Sequence, residues 1–452
     1  MVFPRAIKPK DVSWSMPTSE PTIAAIATPP GEGGVGIVRL SGFDALAIAR
    51  QIFQPSRANA TIHSHRVVHG QLRDSTSGSI IDEALLCFMR GPHSYTGEDV
   101  VELQCHGSPV VLQRVLGCCL AGGARLANRG EFTLRAFLNG RMDLAQAEAV
   151  VDLVRARTAT AAQVAAQGVT GALANRLEPS IGAITGTLAY LEATIDFVEE
   201  GLPEAAATSL ASTIAEVRRT IEELLQRASH GAVLRDGIRV VLVGKPNVGK
   251  SSLLNALLRR DRAIVTPVAG TTRDTLEEAA DVHGLPMYLI DTAGLTETDD
   301  MVERIGVERS RAALAAADIV MLVVDAGASI TIEDANAVAE IRAAASHAPV
   351  ILVRNKWDLV DNGVMPEDES LFIGEWKPEK EIRCSALFGD GLPALEDSLA
   401  NIALGGQTLH AEDTLVENAR QAESLRAAVE ALAIAHDGLV GSRPPELVCI
   451  DL

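Results

Sequence analysis

Gly244-Lys245-Pro246-Asn247-Val248-Gly249-Lys250-Ser251 places two glycines, a lysine and a hydroxyl at the spacing of a phosphate-cradling loop. Glycines let backbone N–H groups wrap phosphate oxygens, and the following helix N-terminus adds partial positive charge. Lys250 would reach the β- and γ-phosphates, and the Ser251 hydroxyl would hold Mg²⁺. Val248, Gly249 and Ser252 complete the expected phosphate contacts. A chance glycine turn is the bland alternative, but four further elements follow in order. Thr271-Thr272-Arg273-Asp274 lies where a switch threonine should close on Mg²⁺. Asp291-Thr292-Ala293-Gly294 offers a carboxylate for Mg²⁺ through water and a glycine N–H for the γ-phosphate. Asn355-Lys356-Trp357-Asp358 offers a carboxylate that can accept from N1–H and the 2-amino group of guanine. Adenine lacks that donor pair, so the pattern selects GTP over ATP. Ser385-Ala386 would back the base.

Each motif needs a strand to deliver it. Apolar runs at Ile238–Val243, Met287–Ile290, Ile319–Val324, Val350–Arg354 and Ile382–Cys384 supply them. Strands alternating with helices predict a mostly parallel sheet with helices on both faces and ligand chemistry at the strand C-termini. Leu295 stands where many switch GTPases place a water-orienting Gln, and leucine cannot orient water. Asn247 offers a side-chain oxygen suited to a hard monovalent cation, and backbone carbonyls of 266–271 could complete its cage. Glu303 could orient water at one remove, although a first-turn carboxylate favoured by the helix dipole explains it equally well.

The 452 residues exceed one ordinary core, so two or three domains are expected. No apolar run approaches membrane-spanning length and no secretory h-region opens the chain, which predicts a soluble, cytoplasmic protein without membrane contact. Six cysteines without a C-x-x-C pair fit a reduced setting. Aromatics at 3% argue against a base-stacking platform. A net charge of −19 restricts any RNA contact to a local patch, or to one shared with a partner.

Residues 1–20 are polar and aperiodic and read as a disordered extension, with Met16 as an alternative start. Residues 21–138 read as mixed α/β, with strands near Thr22–Ala27, Gly36–Leu40, Arg66–Leu72, Ala84–Met89 and Asp99–Cys105, and a helix over Pro109–Leu120. Two charged segments stand out there, Ser94 to Leu103 and Arg129 to Arg141. They suggest an anionic or polar small-molecule pocket, but spacing alone favours a solvated rim and an ordinary helix cap. Residues 139–235 turn helical, with apolar seams at Leu144, Ala147, Val151 and Val154, at Ile181, Ile184, Leu188, Leu191 and Ile195, and at Ile214, Val217, Ile221 and Leu224. The pattern returns in 396–452 at Ala422, Leu425, Val429 and Leu432. One helical domain with the nucleotide domain, 236–395, inserted into it is the economical reading.

With these residues in view, the chain from Thr22 to Leu452 resembles the MnmE (TrmE) family of tRNA-modifying GTPases. The specific signals are Thr28-Pro29-Pro30-Gly31-Glu32-Gly33-Gly34-Val35-Gly36-Ile37, the Tyr95 to Glu102 segment, and Gly130-Glu131-Phe132 through Leu144. The resemblance implies an α+β folate-binding, dimerising N-terminal domain, an all-α bundle and an inserted α/β P-loop GTPase domain. It implies a homodimer that works with a flavoprotein partner, MnmG, in a heterotetramer. Such proteins add an aminomethyl or carboxymethylaminomethyl group to carbon 5 of the tRNA wobble uridine. A reduced folate (5,10-methylene- or 5-formyl-tetrahydrofolate) supplies the one-carbon unit, and K⁺-dependent GTP hydrolysis gates the complex. By motif position, Arg39, Glu102 and Arg141 would contact the folate. Asn247, Thr266, Val268 and Thr271 would coordinate K⁺; Ser251 and Thr272 would hold Mg²⁺. Thr266, Gly270, Thr271 and Thr272 would also border the GTP. Lys250, Thr272 and Glu303 would be the catalytic set, with Glu303 positioning water indirectly.

The chain departs from that pattern in three places. Thr296 replaces a usual arginine, and Arg141 replaces a common lysine with charge retained. The family ends in Phe-Cys-Ile-Gly-Lys, whereas this chain ends Val448-Cys449-Ile450-Asp451-Leu452. Pro445–Val448 aligns better with a helix upstream of the family's tail, so Cys449 is expected to be a helix-core thiol and the tail motif absent. Two alternatives follow: a GTP-driven dimer switch that does not modify tRNA, and a ribosome-assembly GTPase. The second would carry a basic RNA-binding domain, which the acidic flanks do not provide.

Overall fold

The computed structural model describes residues 20–57, 60–196, 203–260, 277–291, 300–329, 331–360, 377–409, 414–416, 418–441 and 443–452. The expectations for residues 1–19, 266–272 and 292–296 lie outside the described residues, as does the side chain of Glu303. The chain divides near Val150 into two compact units.

The first unit is built on strands β1 (Ile23–Ile26), β2 (Gly33–Ser41), β3 (Phe53–Pro55), β4 (Arg66–Arg73), β5 (Ile80–Met89), β6 (Val100–Gly107) and β7 (Arg125–Leu126), with helices α1 (Ala45–Ile52), α2 (Pro109–Ala121) and α3 (Glu131–Leu138). The sheet order is β3-β4-β5-β6-β2-β1-β7, antiparallel except for the β1–β7 pair. Period-2 burial is clear in β5, where Ala84, Leu86 and Phe88 are buried while Leu85 is exposed. Those side chains meet Ile48 and Ile52 of α1 and Leu112 and Leu116 of α2 in one core. Pro109 starts α2 as its fixed φ and missing N–H allow. The sequence reading omitted α1, β3 and β7: α1 is eight residues long, and β3 and β7 have three and two.

Helix α4 (Leu144–Arg155) spans the division. Its expected seam is not buried: Leu144, Val151 and Val154 are 43%, 44% and 81% exposed, and only Ala149 is fully covered. Periodicity fixes which residues share a face, not whether anything covers it.

The second unit contains α5 (Ala159–Val169), α6 (Ala172–Asp196), α7 (Glu204–Gln226), α8 (Ala228–Asp236), β8 (Ile238–Val243), α9 (Lys250–Arg260), β9 (Glu277–Val282), β10 (Leu285–Asp291), α10 (Asp300–Ala315), β11 (Ile319–Asp325), α11 (Ile332–Ala344), β12 (Val350–Asn355), β13 (Lys380–Arg383), α12 (Leu392–Ala403), α13 (Ala419–Val440) and α14 (Pro445–Asp451). Helix α13 packs on α7 and α14 on α6. Ile214, Val217, Ile221 and Leu224 of α7 are all buried, as are Ala422, Leu425 and Leu432 of α13. In α6 the buried face is Leu173, Ser180, Thr187 and Leu191, so the expected seam is shared only at Leu191 and Ile181 is exposed. Thr187 faces inward at little cost because its hydroxyl donates to the Ala183 carbonyl at 3.0 Å. Cys449 lies on α14 as expected but is only half-buried; its neighbour Val448 is the core residue.

The nucleotide sheet runs β13-β12-β11-β8-β10-β9. Every pair is parallel except β10–β9, a strand absent from the sequence reading. β11 and β12 are buried on both faces, as continuous Val/Ile/Leu runs in a covered parallel sheet require.

Candidate functional site

Strand β8 delivers the glycine loop, which turns directly into α9. Gly244 (φ 153°) lies so close to β11 that a Cβ would collide with the Val323 carbonyl oxygen. Gly249 (φ 93°) lies against the Asn355 side-chain amide and leaves no room for a Cβ. Asn247 adopts the left-handed region at φ 63°, which asparagine tolerates, and is exposed. The Lys250 ammonium is buried and donates to the Gly244 and Lys245 carbonyls at 2.6 and 2.7 Å. Burial pushes its pKa down, while the Asp291 carboxylate opposes the shift.

At the start of α9, Ser251 Oγ donates to Asp291 Oδ2 at 2.7 Å, and Ser252 is exposed beside it. A hydroxyl and a carboxylate that already meet are a hard-oxygen pair of the kind Mg²⁺ takes alongside phosphate and water, so the residues fit that ion. Of the expected K⁺ ligands only Asn247 is described; its exposed carboxamide is a compatible donor.

Asn355, 2% exposed at the end of β12, joins three loops. Its Nδ2 donates to the Val248 carbonyl at 2.9 Å, and its Oδ1 accepts from Ala386 N at 3.0 Å and from the Cys384 thiol. Asp358 accepts from Ser385 Oγ at 2.5 Å, which fixes one oxygen and orients the carboxylate. Lys356, in the left-handed region at φ 60°, pairs with Asp325 at 2.7 Å. The Arg383 guanidinium stacks over Trp357 at 4.7 Å. The structure thus brings Lys250, Ser251 and Asp291 together at one place, and Asn355, Asp358, Ser385 and Ala386 at the next. Sequence reasoning missed Asp325, Arg383 and Asp334. Only Asp334 left a trace, as the fourth residue of a Thr331-x-x-Asp334 capping box.

A second polar site lies in the first unit. Arg39 on β2 faces Glu102 on β6, with Nε and Nη2 at 2.9 and 2.8 Å from Oε1. The same guanidinium lies over the rings of Tyr95 and Phe132, at 5.4 and 5.7 Å. Arg141 Nε donates to the Ser94 carbonyl at 3.0 Å, and Asn139 Nδ2 to the Thr96 carbonyl at 2.7 Å. Tyr95 and Thr133 share a hydroxyl hydrogen bond at 2.9 Å. The two charged segments are therefore tied to each other, although Arg129 and Arg141 stay exposed at the rim that spacing favoured.

Beneath them Arg135, 2% exposed, pairs with Glu98 at 3.0 Å and Glu131 at 3.2 Å. Arg125 also grips Glu131, and Asn128 N donates to it at 2.7 Å. Burial alone would raise the Glu131 carboxyl. The hydrogen bonds from Arg125, Asn128 and Arg135 outweigh that and hold it at about 2. The α3 cap also differs from an ordinary one: Gly130 occupies the N-cap in the left-handed region with no side-chain bond, and the Glu131 carboxylate accepts from Asn128 N and from Arg125 and Arg135. Planar rings, a guanidinium and a carboxylate in one place suit a flat heteroaromatic ligand that carries both donors and acceptors.

Among the described residues, no helix is long and apolar enough to cross a membrane. The family described as GTP-binding protein TrmE N-terminus matches residues 22–141, and the MnmE helical domain matches residues 144–452. A tRNA modification GTPase MnmE from Chloroflexus aurantiacus is 49% identical over 95% of this chain and 92% of its own length. A protein of the same name from Roseiflexus sp. (strain RS-1) is 45% identical over the same shares. One from Symbiobacterium thermophilum is 47% identical over 96% of this chain and 93% of its own length. A nucleotide site on a parallel sheet, a charged site on the preceding antiparallel sheet, and relatives matched across both place this chain in the MnmE (TrmE) family of tRNA modification GTPases.

Proposed function

We propose that this chain hydrolyses GTP in a K⁺-dependent manner and, with a flavoprotein partner of the MnmG type, adds an aminomethyl or carboxymethylaminomethyl group to carbon 5 of tRNA wobble uridine. The observation that carries the GTP assignment is the junction at Asn355, which holds the phosphate loop and the base-reading loops in one hydrogen-bonded unit. The domain scheme is a folate-binding and dimerising part over 21–138, a helical domain of 139–235 with 396–452, and a GTPase domain over 236–395.

Asp358, oriented by Ser385, reads the guanine N1–H and 2-amino group. Lys250, held by its two loop carbonyls, offers its remaining N–H to phosphate oxygens and neutralises charge that develops on transfer. Ser251 and Thr272 would hold Mg²⁺ directly and Asp291 through water, and the ion would supply positive charge to the phosphates. Asn247, Thr266, Val268 and Thr271 would hold K⁺, which would supply positive charge at the phosphates where Leu295 stands in place of a glutamine. Gly270, Thr292, Ala293 and Gly294 would border the GTP, and Glu303 would position the attacking water indirectly. In the first unit Arg39, Glu102 and Arg141 hold the reduced folate, whose one-carbon unit is the chemistry it brings. The rings of Tyr95 and Phe132 beside Arg39 support that site.

Steady-state GTP hydrolysis by the full chain, measured in K⁺ and in Na⁺ at equal ionic strength, tests the motor half. The larger ion is expected to accelerate turnover by roughly tenfold or more, the scale of a well-placed charge in a transition state. Equal rates in the two salts would remove the K⁺ cage.

A further inference from the structure

Lys245, the second residue of the phosphate loop, has no part in the expected contacts to nucleotide. Its side chain instead reaches the N-terminus of α11. The ammonium lies 2.5 Å from Asp334 Oδ2 and 2.9 Å from Thr331 Oγ1. Two features make this pair unusual. A cation at a helix N-terminus meets the positive end of the dipole, so α11 itself gains nothing from it. Asp334 is 1% exposed, and its other oxygen, Oδ1, is buried with no hydrogen-bond partner among the described residues. A surface capping box needs neither the burial nor the lysine.

The backbone of Lys245 explains what the pair is for. Its carbonyl accepts from the Lys250 ammonium at 2.7 Å, beside the Gly244 carbonyl at 2.6 Å. Gly244 is wedged against Val323 of β11, and Pro246 fixes φ at the next position. Lys245 is therefore held at its side chain by α11 and on both sides by rigid backbone. Its carbonyl orientation sets where Lys250 rests.

We propose that Lys245 and Asp334 are a positioning pair for GTP hydrolysis, fixing the phosphate loop to α11 so that Lys250 is presented to the transferring phosphate. This rests on the GTPase reading above. The pair acts through Lys250 and does not touch the substrate. Its loss should appear in the chemical step more than in substrate capture, because a displaced lysine costs most where charge develops.

The test is a double-mutant cycle on the full chain, with kcat and KM for GTP and the thermal midpoint measured on each protein. Lys245→Met is expected to lower kcat about tenfold with KM changed by less than about threefold. Asp334→Asn, which keeps shape and the Thr331 contacts, should lower kcat by about threefold to tenfold. The double variant should be no slower than Lys245→Met, because both changes remove one interaction. Lys245→Arg should keep kcat within about threefold, since a guanidinium preserves the ion pair. If Lys245→Met does not fold, Asp334→Asn and Lys245→Arg still decide. A wild-type chain that hydrolyses GTP, with single variants that lose thermal stability but keep kcat, overturns the inference alone. Losses that multiply in the double variant do the same. A wild-type chain without GTP hydrolysis overturns the function reading and the inference with it.

Discussion

The nucleotide site and the Arg39 site are assembled by opposite means. At the nucleotide site each described group sits within eight residues of a strand C-terminus, and backbone carbonyls and amides do much of the holding. At the Arg39 site most contacts join residues far apart in sequence: Arg39 with Glu102, Arg141 with Ser94, and Arg135 with Glu98. In the first, local loop geometry places each group, and adjacent parallel strands then bring the loops together. The second is a side-chain network that exists only once strands β2 and β6 and helix α3 are together. The two sites should therefore fail in different ways when single residues change.

The largest effect is expected at the base-reading loop. Asp358→Asn exchanges an acceptor oxygen for a donor and leaves the guanine N1–H or 2-amino group unpaired. Affinity for GTP should fall about a hundredfold relative to xanthosine triphosphate, read by competition binding. An unchanged base preference would undo the guanine assignment, while folding should stay intact because the loop scaffold is Asn355.

Glu131 probes the other kind of site. Its folded carboxyl is depressed from the ordinary 4.5 to about 2. For a depressed carboxyl, the stabilisation is fully present above the unfolded value and is lost as pH falls through the folded one. The stabilisation thus holds above about pH 4.5 and disappears as pH falls toward 2. Glu131→Gln should cost about 2 kcal/mol at pH 7, measured by denaturant unfolding of the first unit's transition, and nothing further at pH 2. A pH-independent cost would show that packing, not charge, is what Glu131 supplies.

The smallest effect is expected from Arg39→Ala. Reduced-folate affinity should fall about tenfold, measured calorimetrically, with GTP hydrolysis unchanged. Equal losses of both activities would break the separation between the two sites.

This contrast also sets what a reader of the sequence can recover. Lys250, Asp291, Asn355 and Asp358 were legible because the motif spacing is the geometry: strand, loop, helix. Asn355 itself was legible, but not its grip on Val248 and Ala386, which depends on β8 and β12 ending at one level. Arg39 and Glu102 gained a meaning only from the family resemblance, since no local pattern predicts a pair 63 residues apart. The seams of α7 and α13 were correct because they face each other. The α4 seam was correct as a face and wrong as a buried one. β9 went unread because Glu277, Glu278 and Asp281 interrupt the apolar alternation on an edge strand.

The measurement that tests the central claim most directly is nucleoside analysis of tRNA incubated with this chain, the flavoprotein partner, GTP, K⁺ and reduced folate. The account predicts a wobble uridine carrying the aminomethyl or carboxymethylaminomethyl group at carbon 5, dependent on GTP. An unmodified uridine, under conditions where the chain hydrolyses GTP and binds the folate, would contradict it.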